Sequence, residues 1–137
     1  MCRDIRIIEG ERKMNNELVI KKCGKCGKVV HLLKENENVE LICCGQNMQE
    51  VVANSTDASF EKHVPTYEIV EDEIFVKVNH PMEKEHYIEW IAQVTPTTQN
   101  FVKMYPEQNA QCRFKYVPNA TIYAYCNKHG LWKNEVK

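Results

Sequence analysis

From Tyr67 onward, apolar and polar side chains alternate with a period of two. Tyr67 and Ile69, then Ile74, Val76 and Val78, take every second position, and Glu71-Asp72-Glu73 between them reads as a turn. His86, Ile88, Trp90, Ala92 and Val94 are expected to share one face of the next strand. Phe101 to Tyr105 gives another, Cys112, Phe114 and Tyr116 line one side of a third, and Ile122 and Ala124 carry the alternation toward Cys126. Breaks at Thr95-Pro96, Pro106-Glu107-Gln108-Asn109 and Pro118-Asn119 separate these runs. Short strands at such spacing predict an all-β body, a small antiparallel β-sandwich over residues 58–137.

The first third of the chain is patterned differently. Residues 14–50 carry only a handful of apolar side chains (Leu18, Val19, Ile20, Val29, Val30, Leu32, Leu33, Leu41, Ile42). So small a unit cannot sustain a fold on burial alone, and a bound metal is expected to supply the missing stability. A polar, turn-rich stretch around Val51 to Asp57 separates it from the body. The expected organisation is an extension over 1–13, read either as disordered or as an upstream start, a metal-bound β minidomain over 14–50, a linker over 51–57 and the sandwich over 58–137.

Composition narrows the classes of function. With 43% hydrophobic and 27% charged residues the chain reads as globular. Lys and Arg (18) nearly cancel Asp and Glu (19), with nine against nine in residues 1–57 and nine against ten in 58–137. No basic face is implied, so nucleic acid is not an expected partner. No apolar run approaches a membrane span, and Met1 to Lys13 lacks the pattern of a secretory signal. A cytoplasmic, reducing location follows as the expectation, and there seven cysteines point to metal rather than disulfides.

Cys23-Gly-Lys-Cys26-Gly followed by Cys43-Cys44-Gly has the form of a tetrathiolate site. Two thiolates from each of two turns can surround one ion, and the spacing leaves zinc and iron equally open. Four of the five histidines fall in the body, in the segments Glu61-Lys62-His63, His80 through His86, and Cys126-Asn127-Lys128-His129. His80 and His86 are expected to bracket a loop after a strand, and Cys126 and His129 to sit in a turn after the last strand; such loops can converge at one end of a sandwich. Four imidazoles with one thiolate exceed what tetrahedral zinc needs, and five ligands with a sixth position open suit iron. His31, in the run Val29-Val30-His31-Leu32-Leu33, reads as an ordinary strand residue. Cys112, Met82 and Trp90 read as packing residues, and Cys2 belongs to neither donor set.

These residues resemble a known family. Cys23-Gly-Lys-Cys26-Gly27 with Cys43-Cys44-Gly45 is similar to the desulforedoxin module. Glu61-Lys62-His63-Val64-Pro65, His80-Pro81-Met82 through His86-Tyr87-Ile88-Glu89-Trp90-Ile91, and Cys126-Asn127-Lys128-His129-Gly130-Leu131-Trp132 resemble superoxide reductase. In this order, over about residues 14–137, they resemble desulfoferrodoxin, the two-iron class of superoxide reductase. The resemblance implies two mononuclear non-haem irons per chain. One is held by Cys23, Cys26, Cys43 and Cys44, the other by His63, His80, His86 and His129 equatorially with Cys126 axial. It implies that Glu61 fills the sixth position of the oxidised site and that Lys62 stands beside its open face. It further implies an immunoglobulin-like sandwich, a homodimer, superoxide as substrate and an external electron donor such as rubredoxin. Lys22, where the family commonly has an aromatic residue, and Asn47, where it commonly has proline, depart from the pattern without touching a ligand. A zinc-ribbon adaptor and a two-iron electron carrier are the competing classes.

Overall fold

A computed structural model describes residues 16–34, 40–55 and 60–137. The expected extension over 1–13, with Cys2, lies outside the described residues, as does the last part of the expected linker. In the N-terminal unit, β1 (Val19–Lys22) pairs antiparallel with β2 (Val29–Leu32), Lys22 opposite Val29. β3 (Ile42–Cys43) and β4 (Gln46–Asn47) form a minimal hairpin, and β5 (Gln49–Glu50) adds to β1, giving the order β2-β1-β5. The two residues that turn the minimal hairpin, Cys44 and Gly45, have φ of 54° and 74°. Left-handed angles at both central positions are the two-residue turn whose twist matches a hairpin, and glycine reaches them without penalty.

The body opens with a single helical turn, α1 (Phe60–His63), which strand alternation alone does not predict. Seven strands follow: β6 (Thr66–Val70), β7 (Glu73–Lys77), β8 (Ile88–Val94), β9 (Gln99–Lys103), β10 (Gln111–Lys115), β11 (Thr121–Cys126) and β12 (Gly130–Glu135). They form two antiparallel sheets, β10-β7-β6 and β12-β11-β8-β9. Between the sheets lie Ile74, Val76, Phe114, Ile88, Ile91, Ile122 and Ala124. This is the all-β sandwich expected. Among the described residues no helix is long and apolar enough to cross a membrane.

The four-stranded sheet is covered on both faces. Its outer face carries Ala92, Val94, Tyr123, Tyr125 and Leu131, which pack with Leu18 and Ile20 of the N-terminal unit. All six residues of β11 are therefore buried. Burying an isoleucine such as Ile20, 1% exposed, contributes about 1.5–3 kcal/mol. Hydrogen bonds reinforce the contact. The Asn16 amide donates to the Thr95 carbonyl at 2.8 Å, and the Val51 N–H donates to the Ile20 carbonyl at 2.8 Å. The Asn54 N–H donates to the Leu131 carbonyl at 2.8 Å, so the described part of the 51–57 stretch is tied to both units.

Two local expectations change. Ile88 does not share a face with Trp90, Ala92 and Val94: it lies between the sheets, and they lie on the outer face. The cause is a bulge, because Tyr125 pairs with Trp90 but Cys126 pairs with Ile88, leaving Glu89 as the extra residue. Cys126 and His129 do not follow the last strand either. They flank the turn of a hairpin, β11 to β12, which ends at Gly130 with φ 83°.

Candidate metal centres

Three segments converge at one end of the sandwich. α1 ends in His63, the β7–β8 connection carries His80 and His86, and the β11–β12 hairpin carries Cys126 and His129. One ligand atom from each of these five side chains lies within 4.8 Å of all the others. Taken in the order 63, 80, 86, 129, neighbouring imidazole centroids stand 4.8, 4.7, 5.0 and 4.8 Å apart, the last closing the ring. The planes meet at 65° to 90°, so the rings present edges to a common centre. The Cys126 Sγ lies 3.4 Å from His80 Nε2 and 3.9 Å from His129 Nδ1. Four imidazoles in a closed ring, with one sulfur beside two of them, make a five-donor set.

The chemistry of the donors fits a metal ion. Burial pushes the His80 imidazole down to about 4, and burial also pushes His86 down, so both rings are neutral and able to coordinate at pH 7. The Nε2 of His86 is buried without a hydrogen-bond partner, a costly state that an ion would relieve. Burial raises the Cys126 thiol, while amides of Lys128 and His129 act in the opposite sense, the latter donating to Sγ at 3.4 Å. A bound cation would drive its ionisation.

Residues behind the donors orient them. The Nδ1 of His80 lies 2.5 Å from the Pro81 carbonyl, which places the ring proton there and leaves Nε2 for a metal. Trp132, fully buried, stacks on His63 at 4.9 Å and 23° and donates its indole N–H to the His129 carbonyl at 3.1 Å. Asn127 accepts the Tyr87 N–H at 3.0 Å and donates to the Glu85 carbonyl at 3.0 Å, clamping the His86 segment to the hairpin. Reading residue types for ligands misses Asn127 and Trp132, since neither is a donor to metal; position within the Cys126-to-Trp132 motif is the signal that marks them. Lys62 is exposed beside His63. The side chain of Glu61 lies outside the described residues.

The second group is Cys23, Cys26, Cys43 and Cys44, again with sulfurs mutually within 4.8 Å. Cys26 Sγ is 3.6 Å from Cys43 Sγ, which is 3.9 Å from Cys44 Sγ. The amides of Cys26 and Lys25 point at Cys23 Sγ, at 3.5 and 3.4 Å, and pull that thiol down to about 6. Sharing hydrogen bonds with Cys26 and Cys23 pushes Cys43 up to about 12 and raises Cys44. Four crowded sulfurs, with the Cys23 thiol pulled down and those of Cys43 and Cys44 pushed up, form a set that one multivalent cation would ionise together. His31 lies in β2, away from both groups, and Cys112 packs against the sandwich core, as expected.

A family model described as desulfoferrodoxin matches residues 55–135. The desulfoferrodoxin of Clostridium acetobutylicum is 40% identical over 126 residues, 90% of this chain and 100% of that protein. The superoxide reductase of Pyrococcus horikoshii is 33% identical over 115 residues, 66% of this chain and 98% of its own length. Among solved structures, the superoxide reductase from Treponema pallidum matches with a TM-score of 0.67 at 25% identity, covering 86% of this chain and 98% of that one.

Proposed function

The chain belongs to the desulfoferrodoxin family, and from that premise we propose that it is a superoxide reductase working at the five-donor centre. The reaction takes one electron and two protons to convert superoxide into hydrogen peroxide, with no dioxygen released. The observation that carries this reading is the convergence of four imidazoles and one thiolate, from three separate segments, on one point.

Iron held there would supply the electron, with a donor restoring it; the other roles belong to side chains. His63, His80, His86 and His129 would hold the iron together with Cys126, whose thiolate would push electron density toward it. Five protein donors would leave the substrate access to the ion. Lys62, exposed next to His63, draws the superoxide anion in; focused charge of this kind raises association rates by roughly 10 to 10³. Its ammonium also orients the water that delivers protons. Glu61, its neighbour on α1, would displace the product once the site is oxidised. Cys23, Cys26, Cys43 and Cys44 hold a second iron, which staples the 14–50 unit; the 51–57 segment joins it to the catalytic sandwich over 58–137. A homodimer, a cytoplasmic location and an external donor of the rubredoxin type complete the proposal.

Pulse mixing of the reduced protein with superoxide, with peroxide and dioxygen recorded separately, tests it. One peroxide per superoxide and no dioxygen is expected. Dioxygen at half the superoxide consumed would mean dismutation and overturn the reading.

A further inference from the structure

At the end of the β10-β7-β6 sheet nearest the five donors lies a polar cleft of about 580 Å³, walled in part by Thr66, Lys77, Asn79, His80, Asn109 and Gln111. Among the described residues Lys77 supplies its one ammonium and no carboxylate lines it. Thr66, Asn79, Asn109 and Gln111 are neutral side chains that can each donate a hydrogen bond. A lining of that kind favours a small anion. His80 belongs to the five-donor set, so the cleft opens on the candidate metal centre.

Strand register puts Lys77 there. Alternation along β7 buries Ile74 and Val76 between the sheets and turns Glu73, Phe75 and Lys77 to the outer face. Thr66 and Lys77 form the last rung of the β6–β7 ladder, and the Thr66 hydroxyl donates to the Lys77 carbonyl at 3.3 Å. Thr66 comes three residues after His63 and Lys77 three before His80, a reach of about 10 Å along extended chain. The His80 N–H donates to the Val78 carbonyl at 2.9 Å, a tight turn that keeps the imidazole close to the strand end. Both cross-strand partners of Lys77, Thr66 and Gln111, are uncharged, and among the described residues its ammonium makes no ion pair. The other outward charges lie further from the donors. Glu68 and Arg113 flank Phe75 one rung back, Glu73 and Lys115 share the rung beyond, and Arg113 is engaged with Glu73 at 3.4 Å.

We propose that this cleft is an approach for the superoxide anion and that Lys77 is a second steering residue beside Lys62. The proposal rests on the superoxide reductase reading above and adds to it a residue that neither the ligand motifs nor the donor geometry singles out. An anion entering the cleft meets an uncompensated ammonium, then amide and hydroxyl groups, then the His80 ring. One charge about 10 Å from the point of encounter changes the rate by about twofold in water at low ionic strength. At about 1 M salt, where the Debye length is about 3 Å, that influence is screened away.

The test is a charge series at one position, read by pulse radiolysis of the reduced, iron-loaded full chain. At low salt Lys77→Arg should keep the parent's bimolecular rate with superoxide, Lys77→Gln should be about twofold slower and Lys77→Glu about fourfold slower. The four rates should converge at about 1 M salt. Lys115→Gln removes the same charge from the far end of the same face and should react nearly as fast as the parent. Equal rates across the series at low salt would overturn the proposal, as would differences that persist at high salt. A Lys115→Gln protein as slow as Lys77→Gln would also overturn it, by showing an effect of net charge alone. A parent protein that forms no peroxide from superoxide would instead be a failure of the superoxide reductase reading.

Discussion

The Nε2 of His63 and the Nδ1 of His129 stand 3.0 Å apart, although the two residues are 66 positions apart in the chain. Two nitrogens held at right angles on one ion, each with a bond of about 2.1 Å, would be separated by about 3.0 Å. The spacing is that of neighbouring equatorial ligands, and it specifies which nitrogen His129 offers. His129→Ala should therefore lower iron from two per chain toward one, abolish superoxide reduction and leave the tetrathiolate absorbance in place. Two irons with full turnover would remove His129 from the set.

Steering by Lys62 is an electrostatic claim and so has an ionic-strength signature. Lys62→Ala should slow the bimolecular step with superoxide and flatten its dependence on salt, measured by pulse radiolysis. An unchanged rate and slope would assign that role elsewhere.

Trp132 supports two ligands by different means, and two substitutions separate them. Trp132→Phe keeps a ring against His63 and deletes the hydrogen bond to the His129 carbonyl, at a cost of about 1 kcal/mol. Trp132→Ala also empties a fully buried site and should cost about 3–5 kcal/mol. Urea unfolding of the iron-loaded proteins gives the comparison, and the phenylalanine variant should also shift the ferric spectrum of the catalytic centre. Equal stability of all three proteins would deny the tryptophan its supporting role.

Acid sensitivity of the metal-free protein follows from His80. Burial lowers its folded pKa from 6.5 to about 4, so the unfolded chain binds the extra proton first as the pH drops. Its contribution is whole above pH 6.5 and is lost progressively down to about 4. The unfolding midpoint of the metal-free chain should fall across that interval, and His80→Asn should flatten the fall. A variant with the parent's slope would place the sensitivity in other groups.

What could be read from the sequence, and what could not, divides along physical lines. Cysteine and histidine spacing marked both donor groups, because every donor except His63 has a partner that a single turn or loop brings beside it. Alternation marked the strands from Tyr67 to Ala124, since each has one face turned inward. It misassigned the face of Ile88, because a bulge at Glu89 reverses the alternation and no residue type announces a bulge. It missed β12 because Leu131 and Trp132 are adjacent apolar residues, buried on opposite faces of a sheet that is covered on both sides by the sandwich and by Leu18 and Ile20. Which nitrogen of His129 faces the centre depends on the hairpin's backbone and on the Trp132 hydrogen bond, which only coordinates supply.

The central claim is that five donors from three segments meet on one iron and leave one position for superoxide. A crystal structure of the reduced, iron-loaded protein tests it most directly. It should show an ion bonded to Nε2 of His63, His80 and His86, Nδ1 of His129 and Sγ of Cys126, with its sixth position facing solvent on the Lys62 side. An ion reached by fewer of these atoms, or a sixth position closed by a protein side chain in the reduced state, would contradict the account.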